Sequence, residues 1–156
     1  MSMLHDFITS HQTFAKQNVN SRKRVLQTIA RAIEDKSVDE DFIFDQLMAR
    51  ERLGSTGLGE GVAIPHCRVA CAQMEVVFIT LETPIDYESA DGQLVDIFVA
   101  LIVPEHEKQA HLDALANLST VFSDANNLAM LRTCSEADQL AHVMKTMLAQ
   151  LPRKSA

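Results

Sequence analysis

The chain has no tryptophan and a single tyrosine, Tyr87, so it offers no row of aromatic platforms on which bases or sugars would stack. An excess of positive charge is missing too: 14 lysines and arginines face 21 aspartates and glutamates, a formal net charge of −7. That balance disfavours nucleic acid and anionic membrane surfaces, and it tolerates a protein partner with a basic face. The longest apolar run, Ile97 to Val103, is far too short to span a bilayer. The start, MSMLHDFITSHQTF, lacks the charged head and apolar stretch of a secretory signal. Cysteine is scarce and odd in number. Cys67, Cys71 and Cys134 read as reduced thiols in the cytoplasm, not as a disulfide framework.

What is present is an aliphatic chain of 156 residues, 47% hydrophobic and 22% charged, long enough to bury a core. No linker, repeat or low-complexity tract divides it, so residues 1–156 are expected as one domain, with 1–20 a weakly patterned lead-in. Ser21 is placed to cap a helix carrying Val25, Leu26, Ile29 and Ile33. Ser37-Val-Asp-Glu40 has the form of a capping box for a second helix, with Phe42, Ile43 and Leu47 inward and a stop at Gly54.

Four of the five glycines, Gly54, Gly57, Gly59 and Gly61, then form a loop that feeds a short strand, Val62 to Ile64. Met74 to Leu81 and Val95 to Val103 are apolar throughout their centres, as strands covered on both faces are. Helices follow, marked by Leu112, Leu115, Leu118 and Phe122, by Leu128 and Leu131, and by a Ser135-x-x-Asp138 cap ahead of Leu140, Val143, Met144 and Met147. The expected fold is α/β, a single domain with a mixed β-sheet flanked by helices on both faces.

The segment from Arg50 to His66 carries the chemistry. A glycine-rich loop with hydroxyls at Ser55 and Thr56 lets backbone N–H groups converge on an anion. Pro65 limits the freedom of the backbone just before His66, and a neutral imidazole is a competent nucleophile toward phosphorus. The same residues also admit a tight turn whose glycines serve geometry alone. His111 is similarly open: it shares a helical stripe with Leu115, Leu118 and Phe122 and faces the sheet, as a core histidine or as a second site residue. If the preceding strand is central and parallel to its neighbour, its carboxyl end is where ligands bind in open sheets.

Gly-Ser-Thr-Gly-Leu-Gly-Glu-Gly-Val-Ala-Ile-Pro-His66 resembles the active-site segment of IIA components of the bacterial phosphotransferase system, fructose–mannitol class. Arg50-Glu-Arg-Leu-Gly-Ser-Thr-Gly resembles the nitrogen-regulatory branch of that class. The likeness extends over residues 20–150, from Ser-Arg-Lys-Arg to the His111-Leu-x-x-Leu-x-x-Leu helix. It implies that His66 accepts the phosphoryl group on Nε2, that His111 donates to its oxygens and that Arg50 pairs with its charge. Thr56, Ser55 and Gly59 are implied phosphate-binding positions. Neither cofactor nor metal is required. The implied partners are an HPr-like phosphocarrier as donor, and either a regulated kinase or transporter or a IIB component. No IIB-like or membrane segment accompanies the domain, which favours regulation over transport of a fructose- or mannitol-type sugar.

Cys67 departs from the pattern, since it stands where the class has a small residue such as glycine. A thiol there could bring redox sensitivity, but Cys67 and Cys71 do not have a zinc-ligand spacing, and chance placement is the favoured reading of both. A metal-dependent hydrolase built on His66, His111 and Glu60 is the rival from a different class.

Overall fold

The computed structural model describes residues 3–152. After 3-10 helices at Leu4–Phe7 and Ser10–Gln12, the chain forms β1 (Thr13–Gln17), α1 (Arg22–Ala32), α2 (Glu40–Leu53), β2 (Gly57–Gly59), β3 (Val62–Ala63) and β4 (His66–Val69). It continues with β5 (Glu75–Ile85), β6 (Val95–Pro104), α3 (Lys108–Phe122), α4 (Ala125–Thr133) and α5 (Ala137–Ala149).

The two long apolar runs make the centre of one mixed sheet. β5 and β6 pair antiparallel, while β3 and β4 both run parallel to β6 on its other side. β1 lies parallel to β5 at one edge, and β2 folds back antiparallel on β3. Along β6 the side chains alternate. Ile97, Val99, Leu101 and Val103 enter the core shared with α3, α4 and α5, whereas Phe98, Ala100 and Ile102 enter the core shared with α1 and α2. A strand buried on both faces has no polar face to show, which is why its sequence is apolar throughout. The expected α/β architecture, helices on both faces, is the one observed.

Several local expectations differ. The lead-in is built structure: two 3-10 helices and the edge strand β1, whose Thr-Phe-Ala-Lys-Gln sequence lacks the apolar density of a central strand. Its register shifts between Phe14 and Gln17, around Lys16 at φ 53°. Ser21 does cap α1, accepting from the Arg24 amide at 3.2 Å. Ser37 does not cap α2, because its hydroxyl and amide both bond Asp35; the helix starts after Asp39 instead. The last helix likewise starts after Glu136, without the Ser135 cap. Phe42, expected inward, is 46% exposed.

The glycine segment is a hairpin rather than an open loop. Its turn needs two residues at positive φ, and Glu60 (57°) and Gly61 (82°) supply them. Arg132 of α4 clasps this turn, donating from Nη2 to the Glu60 carbonyl at 2.6 Å and pairing with Asp96 at 3.0 Å. The Gly61 carbonyl accepts from both the Asp96 and Ile97 amides, at 3.0 and 3.1 Å, a bulge that marks where β6 begins its alternation. A Cβ on Gly61 would lie 2.5 Å from Arg132 Nη2. Gly61→Ala is therefore expected to combine left-handed strain with loss of the clasp, costing about 1–3 kcal/mol. Urea unfolding measures it, and an unchanged midpoint would show that the turn yields freely.

Candidate functional site

β3 and β4 lie end to end along β6, interrupted at Pro65, which has no N–H to give to the ladder. The Pro65 carbonyl still accepts from the Leu101 amide at 2.9 Å, so the line along β6 holds across the break. His66 is the first residue after it. The break itself presents the ring, not the end of the preceding strand.

The ring is held at both nitrogens. Nδ1 lies 2.8 Å from the Ile64 carbonyl oxygen. A carbonyl only accepts, so Nδ1 carries the proton and Nε2 keeps its lone pair. Arg50 Nε donates to Nε2 at 3.2 Å, which requires the same tautomer. Arg50 is itself steadied near the end of α2 by a bond from Nη1 to the Gly54 carbonyl at 2.9 Å. The His111 ring meets His66 edge-on, with centroids 4.9 Å apart and planes at 68°. His111 Nε2 is buried without a hydrogen-bond partner.

Burial depresses the basicity of His66, and the Arg50 charge adds to that effect; the Ile64 hydrogen bond and the Glu51 charge oppose it. His111 is pushed down to about 4, first by burial and then by His66, Arg68 and Arg50. Both rings are neutral at pH 7.

They open into a cleft of about 710 Å³ lined also by Arg50, Leu53, Arg68 and Lys108, with Glu105 as its carboxylate. Among the described residues no carboxylate pairs with Arg50, Arg68 or Lys108 within 4.0 Å. The site is thus cationic in an acidic protein. Arg68 and Lys108 escaped the sequence reading. The signal was there in spacing: Arg68 is two residues beyond His66 on a strand, and Lys108 three before His111 on a helix.

The other candidates are not brought to the cleft. Thr56 is buried, its hydroxyl donating to Glu51 Oε1 and its amide to Oε2 at 3.1 Å. Ser55 Oγ accepts from the Gly57 amide at 3.1 Å. Gly59 packs toward Asp91, and a Cβ on Gly57 would lie 2.5 Å from Ser89 Oγ. The glycines let the hairpin approach the 86–92 loop; they do not line an anion cradle beside His66. Glu60 sits exposed at the hairpin turn, also outside the cleft, so the hydrolase grouping is not assembled. Cys67 and Cys71 are buried in the core on the α1 and α2 side, and burial pushes their thiols up to about 12 and about 11. Such thiols stay protonated at neutral pH, which disfavours redox sensitivity and agrees with chance placement.

The family model described as phosphoenolpyruvate-dependent sugar phosphotransferase system, EIIA 2, matches residues 6–147. The chain belongs to this family, a phosphotransfer component of that system. Within it, the chain is similar to the nitrogen regulatory protein of Pseudomonas aeruginosa, 35% identical over 147 residues, 92% of this chain and 96% of that one. The 2-O-alpha-mannosyl-D-glycerate-specific EIIABC component of Escherichia coli is 31% identical over 126 residues, 77% of this chain but 19% of that protein. The crystal structure of IIA-Ntr from Neisseria meningitidis matches with a TM-score of 0.87 at 33% identity, covering 92% of this chain and 99% of that one.

Two outcomes follow from the electrostatics. Between pH 6.5 and about 4 the unfolded chain binds a proton on His111 that the folded chain excludes, so stability falls on acidification across that window. Urea midpoints at pH 7 and pH 4.5 measure the fall, which should shrink in His111→Gln. In folded protein at pH 8, Cys67 should resist iodoacetamide, as intact mass will report.

Proposed function

We propose that the protein is a cytoplasmic phosphocarrier that takes a phosphoryl group onto Nε2 of His66 from the phosphohistidine of an HPr-like donor, and signals by its phosphorylation state. The observation that carries this reading is the pair of bonds on the ring: Ile64 holds the Nδ1 proton, and so the lone pair lies at Nε2, facing Arg50. As the donor's N–P bond breaks and the bond to Nε2 forms, the positive charge of the phosphorylated imidazole passes from the donor ring to His66. The Ile64 carbonyl then accepts from a charged donor, so this bond strengthens along the reaction coordinate. The Arg50 guanidinium moves from the nitrogen to the phosphoryl oxygens, and His111 Nε2, as its N–H, gains the partner it lacks. A loose transition state asks the protein mainly for placement and charge neutralisation.

A regulatory output is favoured over delivery to a IIB component because the nitrogen regulatory relative matches over nine-tenths of both chains, whereas the sugar-specific one matches by a minor segment. The net charge of −7 tolerates a partner with a basic face, but the cleft is locally cationic. Arg50, Arg68 and Lys108, with Leu53 (85% exposed) among the lining residues, fit an apolar patch ringed by acidic groups. On the glycine segment, Leu58 is 47% exposed and could extend such a surface, while Val62 is buried in the core and could not.

Incubation with phosphorylated donor followed by intact mass should show one acid-labile phosphoryl group on wild type and none on His66→Ala. A full mass shift in His66→Ala would overturn the assignment. Arg50→Lys and His111→Ala should still be phosphorylated at His66, but about 10²-fold more slowly, since Lys lacks the planar fork and Ala the donor. Wild-type rates in both would remove Arg50 and His111 from the machinery. A regulatory target that binds the unphosphorylated form should bind His66→Ala normally and His66→Asp weakly; equal affinities would place its contact elsewhere.

A further inference from the structure

We propose that Glu51, the buried neighbour of Arg50, is a positioning residue that fixes the His66 ring through Thr56 and Ile64. Glu51 is 4% exposed and has no cationic partner among the described residues. Its Oε1 accepts from the Tyr87 hydroxyl at 2.9 Å and from the Thr56 hydroxyl, and its Oε2 accepts from the Thr56 amide at 3.1 Å. The Thr56 carbonyl accepts from the Ile64 amide at 3.1 Å, and the Ile64 carbonyl accepts from His66 Nδ1 at 2.8 Å. The carboxylate is thus linked in series to the proton that decides which ring nitrogen is free.

A buried carboxylate carries a desolvation penalty that an apolar side chain of the same volume would avoid. Its retention is explained by what it holds. Arg50 and Glu51 are consecutive in α2, so this one turn of helix governs both nitrogens of His66: Nε2 directly through Arg50, and Nδ1 through Glu51, Thr56 and Ile64. The far end is anchored as firmly, because Tyr87 is fully buried and its ring packs on Phe98 with centroids 5.1 Å apart. The Glu51 charge also opposes that of Arg50 at the His66 ring, keeping the imidazole more basic than Arg50 and burial alone would leave it.

This inference rests on His66 as the acceptor, yet its signature is read on unphosphorylated protein and needs no donor. The probe is the 15N chemical shifts of the His66 ring nitrogens in labelled protein. Wild type should show the Nδ1–H tautomer alone. Glu51→Gln keeps the size of the side chain but removes the charge that strengthens its bond to the Thr56 amide, and its NH2 puts a donor where the Thr56 and Tyr87 hydroxyls now donate. Folded Glu51→Gln, judged by circular dichroism, should show a mixture of tautomers and take up phosphoryl about tenfold more slowly or worse. A wild-type tautomer in folded Glu51→Gln would overturn the proposal, whatever its rate. Should that variant fail to fold, Tyr87→Phe removes one donor while keeping the ring on Phe98. It should shift the tautomer partway, and wild-type shifts there would equally overturn the proposal. A wild-type protein that accepts no phosphoryl group but shows these tautomer shifts would refute the carrier function and leave the positioning role intact.

Discussion

The hydrogen bond from His66 Nδ1 to the Ile64 carbonyl exists because Pro65 breaks the strand between them. A continuous β3–β4 strand would direct successive side chains to alternate faces and commit the Ile64 region to the ladder. The proline removes one donor while the line along β6 holds, and the side chain two residues beyond Ile64 takes its carbonyl. From that bond follow the tautomer, the free lone pair at Nε2 and the direction from which Arg50 approaches. The sheet supplies the frame: β6, buried on both faces, carries the broken strand along its side, and α2 and α3 bring Arg50 and His111 to it from separate elements.

Charge is distributed against the overall balance. The chain is acidic as a whole, but its cleft holds Arg50, Arg68 and Lys108 without ion-pair partners among the described residues. Burial first, and then the unpaired cations beside them, keep both imidazoles neutral, the state a nucleophile requires. On the proposed reading a phosphoryl dianion complements these cations. The same dianion changes the local charge by about −2, enough to alter which partner surface the cleft accepts.

Much of this was legible in sequence, and for physical reasons. Central strands announce themselves because double burial forbids polar residues, so Val95 to Val103 could not be mistaken. His66 stood out because Pro and clustered glycines constrain the backbone around it. β1 was not legible, since an edge strand needs few apolar residues and Thr13 to Gln17 pairs mainly through its backbone. Capping at Ser37 failed because Asp35, two residues earlier, competes for the same hydroxyl and amide. The glycine loop was read as an anion cradle although its glycines serve close packing against Ser89 and Arg132, which lie far along the chain. Arg68 and Lys108 look like ordinary surface cations in sequence, and only the fold turns them toward one cleft.

The claim on which the account depends is that the Ile64 hydrogen bond leaves Nε2 of His66 as the reacting atom. It is tested most directly by 31P–15N coupling in protein phosphorylated by its donor and labelled at the histidine ring nitrogens. The account predicts one-bond coupling from phosphorus to Nε2 of His66, with Nδ1 still protonated. Coupling to Nδ1 would contradict it.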